Sequence, residues 1–296
     1  MKISKREINS VKNLLDAIKF LDRKFHHQIW WRGQRDFSWG LKPSIFRPAK
    51  SREYSIDDER GRILRFQQRA ISRHGNLPAL YDWPGWLFIM QHYRLPTRLL
   101  DWTESPMIAL FFASEIYESH QRHQEKIPDA DGAIFALSPY KLNEDQIKSK
   151  NLLMPEHIKF QKAMGPAFTA VAEEFEKVIA VRPSELDIRL MVQLSVFTIN
   201  GYEISIDRLP SSDNYLWKFK VPKESKESIR KELKRLGIRL SNIFPDLDHL
   251  SEELSHITFK PSNKIPDPKT KFYPGNSREE ESDSDDPTNI VIPPLC

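Results

Sequence analysis

The residues Gln91-His92-Tyr93-Arg94-Leu95-Pro96-Thr97-Arg98-Leu99-Leu100-Asp101-Trp102-Thr103-Glu104-Ser105-Pro106 run directly into the apolar segment Met107-Ile108-Ala109-Leu110-Phe111-Phe112-Ala113. The junction reads as a helix start, with Thr103 as N-cap, Glu104 at the positive end of the dipole and Pro106 in the first turn, where a missing N–H is harmless. A helix is therefore predicted from 104 to about 122. Ile108, Phe111, Phe112 and Glu115 recur at helical spacing and Ala109 and Ala113 form a tighter flank, so one face is expected to be buried. The preceding residues read as a loop held rigidly against that core. Gln, His, Thr, Arg and Asp beside a helix N-terminus suit an anion or a nucleotide. Equally, Arg98 and Asp101 can pair with each other in a purely structural loop.

Outward from this segment, residues 7–24 place Ile8, Val11, Leu14, Leu15, Ile18 and Leu21 on one helical face. His26 to Gln34 has a short aromatic and β-branched centre ending in Gly33, which predicts a strand with Arg32 near its end. An arginine there needs a carboxylate of the fold or a ligand oxygen. Residues 37–48 read as an aromatic, proline-marked loop, and 57–73 as a helix carrying Arg60, Arg62, Arg65, Arg69 and Arg73. Those arginines fit a solvated face paired with Asp57, Asp58 and Glu59 better than a nucleic-acid surface. Trp86 to His92 is a bulky apolar run expected to lie deep. Strands are predicted at 131–138, 176–183 and 196–199, with mixed helix and loop over 144–165 and a short helix from Glu185 to about Gln193. A half-exposed strand follows at 215–221, then a charged helix over 223–236 closed by Gly237, then a last short helix near 243–250. The pattern predicts an α+β fold, a mixed sheet with peripheral helices. Its parts are an N-terminal helix (1–24), a ligand-binding or catalytic domain (25–260) and a flexible Pro-rich and acidic tail (261–296).

The 296 residues, 39% hydrophobic and 29% charged, suffice for a substantial core. Residues 262–296 hold four basic and seven acidic residues, so the net charge of +4 leaves +7 for residues 1–261. A mildly basic body suits phosphates and nucleotides, though solvated surfaces often carry such a charge. The single cysteine, Cys296, excludes an intramolecular disulfide and a cysteine-based zinc site within this sequence. No apolar run reaches the ~18 residues of a membrane span, and the expected setting is cytoplasmic, without membrane partners or metal.

Four segments in order resemble the FRG family, named for an aromatic-Arg-Gly element: Trp30-Trp31-Arg32-Gly33-Gln34; Gln91 to Thr103; Arg189-Leu190-Met191-Val192-Gln193 with Phe197-Thr198; and Gly237-Ile238 with Phe244-Pro245-Asp246-Leu247-Asp248. The likeness covers most of 25–250. It departs at Arg94, where the family pattern has glycine, so the backbone there is expected to differ or the arginine to add a contact. At a looser level the layout is similar to ADP-ribosyltransferases of the Arg-Ser-Glu type.

That resemblance implies NAD as substrate and assigns roles. Arg32 would hold a phosphate or ribose oxygen, and the Gly33 backbone would pair with the nicotinamide carboxamide. Thr103 or Ser105 would organise the ribose, and His92 or Arg98, in the loop that includes Thr97, would meet the diphosphate. Gln193 would stand in the third motif. Being neutral, it offers no charge to an oxocarbenium-like state, so Asp101, Glu104 or Glu203 would have to supply it. The implied function is a nucleotide-binding or NAD-consuming enzyme, of the kind found in toxins and anti-phage effectors, with a protein or nucleic-acid acceptor. The competing reading is a non-catalytic module that holds nucleic acid or a protein through Arg94, Arg98, Lys218 and the arginines of 60–73. A nuclease using His92 and Asp101 ranks last. Each residue also has a bland role: Arg32 and Asp101 as one ion pair, His92 as a structural histidine, Gln193 as a backbone partner.

Overall fold

A computed structural model describes residues 1–47, 53–73, 75–116, 130–183 and 188–255. All lie in the contact unit Met1–Ser255; the expected tail, 261–296, falls outside the described residues. Seven strands form one sheet: β1 (Lys2–Glu7), β2 (Trp30–Gln34), β3 (Leu99–Thr103), β4 (Gly132–Leu137), β5 (Val178–Val181), β6 (Ser195–Asn200) and β7 (Leu216–Val221). Their order is β1-β7-β4-β2-β3-β6-β5, with β1 parallel to β7 and every other pair antiparallel. The mixed sheet with surrounding helices is the α+β architecture expected from the pattern.

The helices are α1 (Val11–Asp22), α2 (Ile56–Ala70), α3 (Trp83–His92), α4 (Pro106–Ala113), α5 (Pro139–Ile147), α6 (Ile158–Phe168), α7 (Ile188–Val192), α8 (Lys226–Arg235), α9 (Leu240–Ile243) and α10 (Leu247–Ser255). Successive strand residues face opposite sides of a sheet, and the cores follow that alternation. On one face a continuous core runs from Trp30 and Phe135 through Leu100 and Trp102 to Ala180 and Val196. The other face carries two cores. Trp31, Ile134 and Phe219 pack under α1, α4 and α8, whereas Leu99, Phe197 and Ile179 pack under α3 and α6. The boundary between those two cores is the join of β2 and β3, which pair only at Trp31↔Thr103 while β2 pairs with β4 along its whole length.

Several expectations change. The first residues are not simply a lead into α1, because Lys2–Glu7 forms an edge strand along β7. The stretch read as a loop contains β3, whose Leu99, Leu100 and Trp102 are buried in the centre of the sheet. Thr103 is therefore the last residue of a strand, and the cap passes to Ser105, whose hydroxyl accepts from the Ile108 amide at 3.4 Å. Helix α4 ends at Ala113, and residues 117–129 lie outside the described set. The start of the expected 185–193 helix does too, since 184–187 are not described.

Helix α4 lies hard against the sheet. A Cβ on Gly33 would stand 1.8 Å from the Ala109 carbonyl, and one on Gly132 would stand 2.1 Å from that of Ala113. Glycine at both positions lets the helix backbone approach, and the small Ala109 and Ala113 complete the contact. Strand β7 also departs from expectation, because Lys218 is buried, donating from Nζ to the Phe37 carbonyl at 2.5 Å beneath the rings of Phe37 and Phe135.

Candidate functional site

Where β2 parts from β3, a cleft of about 340 Å³ opens, within the range of small-molecule sites. All five residues of β3 line it, together with Arg32, Arg47, Gln91, Arg94, Arg189 and Gln193. Arg32 bridges the parted strands by donating from Nη1 to the Asp101 carbonyl at 2.5 Å. The two side chains make only a long ion pair, Nη1 to Oδ2 at 3.9 Å. Arg32 is 17% exposed, Asp101 55%, so the carboxylate looks into solvent while the guanidinium is largely shielded. The Arg32 Nε is buried with no partner among the described residues. Burial lowers the Arg32 pKa to about 10; the charge of Asp101 opposes that drop and the nearby Arg47 adds to it.

Asp101 is fixed from the other side. Gln91 Nε2 donates to Oδ1 and Oδ2 at 2.9 and 2.8 Å, and Gln91 Oε1 in turn accepts from Thr97 Oγ1 at 2.5 Å. Thr97 Oγ1 also accepts from the Leu99 amide at 3.1 Å, so α3 and the entry to β3 are tied to one carboxylate. Thr103 Oγ1 donates to the Gln193 carbonyl at 2.7 Å and accepts from the Ser105 amide at 3.0 Å. Gln193 Nε2 donates to the Ile243 carbonyl at 3.0 Å, a backbone partner.

Of the residues singled out in the sequence, Arg32, Gly33, Asp101, Thr103 and Gln193 come together in the cleft lining, whereas His92, Thr97, Arg98, Glu104 and Ser105 do not. Thr97 and Ser105 act on the backbone as described. His92 stacks edge-on with Tyr93, and its carbonyl accepts from Arg189 at 3.4 Å. Arg98 is 2% exposed and spends all five N–H groups internally: two on Glu59, one on Tyr54, and one each on the carbonyls of Ala163 and Gly201. Glu104 pairs with Arg182, and Glu203 holds Lys42 at 2.6 Å. Among the three carboxylates weighed for a charge-stabilising role, Asp101 is the one in the cleft.

Three lining residues had no assigned role, Gln91, Arg189 and Arg47, and a fourth, Arg94, had been given only an added contact or a part in the basic-module alternative. Gln91 was visible as the polar end of an apolar run, and Arg189 as the first residue of the third motif. Arg47 carried no signal beyond its charge. Together the cleft collects Arg32, Arg47, Arg94 and Arg189 against one carboxylate, Asp101. Such a balance attracts anions. Among the described residues no cluster of three or more His, Cys, Asp or Glu is arranged to hold a metal, and no helix is long and apolar enough to cross a membrane.

Residues 27–122 match the family model of the FRG domain. The described part of the FRG domain contains β2, α2, α3, β3 and α4, hence both parted strands and the Arg32–Asp101 bridge. Arg189, Gln193 and Ser195 are the lining residues that come from beyond it. No curated protein and no solved structure matches the chain.

Proposed function

We propose that the cleft of the FRG domain takes NAD as a substrate and breaks the bond between its nicotinamide nitrogen and ribose C1′. The observation that carries this reading is the buried, unpartnered Nε of Arg32 at a solvent-open cleft, beside an exposed carboxylate that a glutamine holds in place. A buried donor without an acceptor is unfavourable, and a phosphate or ribose oxygen would satisfy it with a charge-assisted bond. As the C–N bond lengthens, its electron pair leaves with nicotinamide and positive charge grows on the ribose. Asp101 supplies the opposing charge there, in place of the carboxylate that Gln193 lacks. Water or an acceptor side chain then completes the transfer at C1′.

The basic-module alternative draws on residues of two kinds: Arg94 lines the cleft and Arg65, Arg69 and Arg73 are exposed, whereas others are held by the fold. Arg98 and Lys218 are buried, and Arg60 bonds the carbonyls of Pro166 and Thr169 as well as Asp57.

Calorimetry with NAD, alongside a nicotinamide-release assay, tests the proposal on three proteins. The wild type is expected to bind and turn over NAD. Arg32→Ala, with its unfolding midpoint as a control for folding, is expected to lose roughly tenfold or more in affinity. Asp101→Asn keeps the shape and is expected to bind while releasing nicotinamide about a hundred- to a thousandfold more slowly. Absence of NAD binding by the wild type would end the proposal.

A further inference from the structure

Helix α3 ends in a geometry that normally belongs to glycine. The Leu95 amide donates to the Met90 carbonyl and the Arg94 amide to that of Gln91, both at 3.0 Å, which is the paired closure of a helix whose next residue turns left-handed. That residue is Arg94, at φ +61. A side chain there is strained relative to glycine, and an arginine has no intrinsic liking for the conformation. The side chain is exposed, makes no hydrogen bond or ion pair among the described residues, and lines the cleft. A second strained residue, Leu194 at φ +46, sits between the lining residues Gln193 and Ser195. Strain of this sort persists where the surroundings hold it and tends to gather at sites of binding.

We infer that Arg94 is a specificity residue for a diphosphate. Arg47 and Arg189 line the same cleft, yet each is already engaged, Arg47 through Nε with the Lys42 carbonyl at 2.8 Å and Arg189 with the His92 carbonyl and over the Phe244 ring at 4.7 Å. They set a fixed positive field. Arg94, exposed and with no side-chain hydrogen bond or ion pair among the described residues, is the cation left to close on a second phosphate once Arg32 has engaged the first oxygen. A single negative charge leaves three of the four cationic groups uncompensated; two phosphates match the cleft better. This rests on the nucleotide reading of the cleft and adds to it the group that is read.

The test titrates adenosine, ADP-ribose and inorganic pyrophosphate into the full chain and into Arg94→Gly and Arg94→Lys. Glycine relieves the left-handed strain, so Arg94→Gly is expected to unfold about 2–4 °C higher than the wild type. It is also expected to bind ADP-ribose and pyrophosphate roughly tenfold more weakly, with adenosine unchanged. Arg94→Lys keeps the charge and is expected to recover most of the loss. Pyrophosphate binding that depends on Arg94 without any binding of NAD would uphold the diphosphate site and sink the NAD reading. Pyrophosphate and ADP-ribose binding unaffected by Arg94→Gly would overturn the inference even if NAD still bound through Arg32, and so would equal losses for adenosine and ADP-ribose.

Discussion

Arg32 on β2 and Arg98 just before β3 are both shielded from water, and they differ in what their N–H groups meet. Arg98 has every donor satisfied, and although burial works against its charge, Glu59 and Tyr54 hold its pKa above the ordinary arginine value. Arg32 has an orphan Nε, only a distant carboxylate, and a pKa lowered to about 10. The first is a fastener, and the second is the one that the proposed function gives a ligand oxygen. The sign of its titration follows. Below about pH 10 Arg32 is cationic and attracts an anion; as pH rises through that value the free protein loses the charge and anion affinity falls. A bound anion favours the charged form, so binding near pH 10 takes up a proton. Nucleotide affinity measured calorimetrically is therefore expected to be flat from about pH 7 to 9 and to fall beyond, with circular dichroism verifying the fold. Constant affinity across pH 10 in the wild type, unchanged in Arg32→Ala, would remove Arg32 from the site. The sequence marked Arg32 as needing a partner because a polar, charged residue followed an aromatic strand core. It could not separate Arg32 from Arg98, since the carboxylate that pairs with Arg98 lies 39 residues earlier, on α2.

At the scale of elements, β3 is the strand on which both the site and the fold converge. Its entry is pinned by Arg98 to α2 through Glu59, to α6 through the Ala163 carbonyl and to the end of β6 through that of Gly201. Trp102 fixes it again through Nε1 to Thr198 Oγ1 at 3.0 Å. The charged pair costs desolvation, so its worth lies in geometry and in the penalty for breaking it. Arg98→Met is expected to destabilise the protein by about 3–5 kcal/mol, seen as a midpoint roughly 10 °C lower, because Glu59 is left charged and buried. Replacing both, Arg98→Met with Glu59→Leu, is expected to recover most of that loss. A single variant as stable as the wild type would show that the pair does not pin β3. The strand was hidden in the sequence by Thr97, Arg98 and Asp101, which broke up its apolar run. The cap moved with it: once Thr103 belongs to the sheet, its hydroxyl is taken by Gln193, and Ser105 caps α4. The buried strands β4 and β5, by contrast, were readable because their apolar runs are unbroken.

For the whole molecule, the sheet has to protect two edges. The β5 edge is covered: Val178 to Val181 are buried, α5 packs there through Asn143, whose side chain bonds the Ala180 amide and carbonyl, and Leu153 pairs with Val181. The β7 edge is guarded by β1, Lys-Ile-Ser-Lys-Arg-Glu, in which Ile3 is exposed and every other side chain is polar. Such a strand pairs on one side and presents charge on the other, a common way to discourage further pairing. It went unread because one apolar residue in six gives no alternation to detect; its place is set by partners far along the chain. Lys220 bonds Glu7 at 2.7 Å, and its carbonyl accepts from the Ile8 amide at 2.8 Å. Deleting residues 1–7 strips this guard and bares the backbone of β7, whose Leu216, Trp217, Phe219 and Val221 make it a far more apolar template. The shortened chain is expected to sediment as larger species than the full chain at equal concentration, with sheet content retained by circular dichroism. Identical sedimentation of the two would mean that β1 adds a strand without guarding the edge.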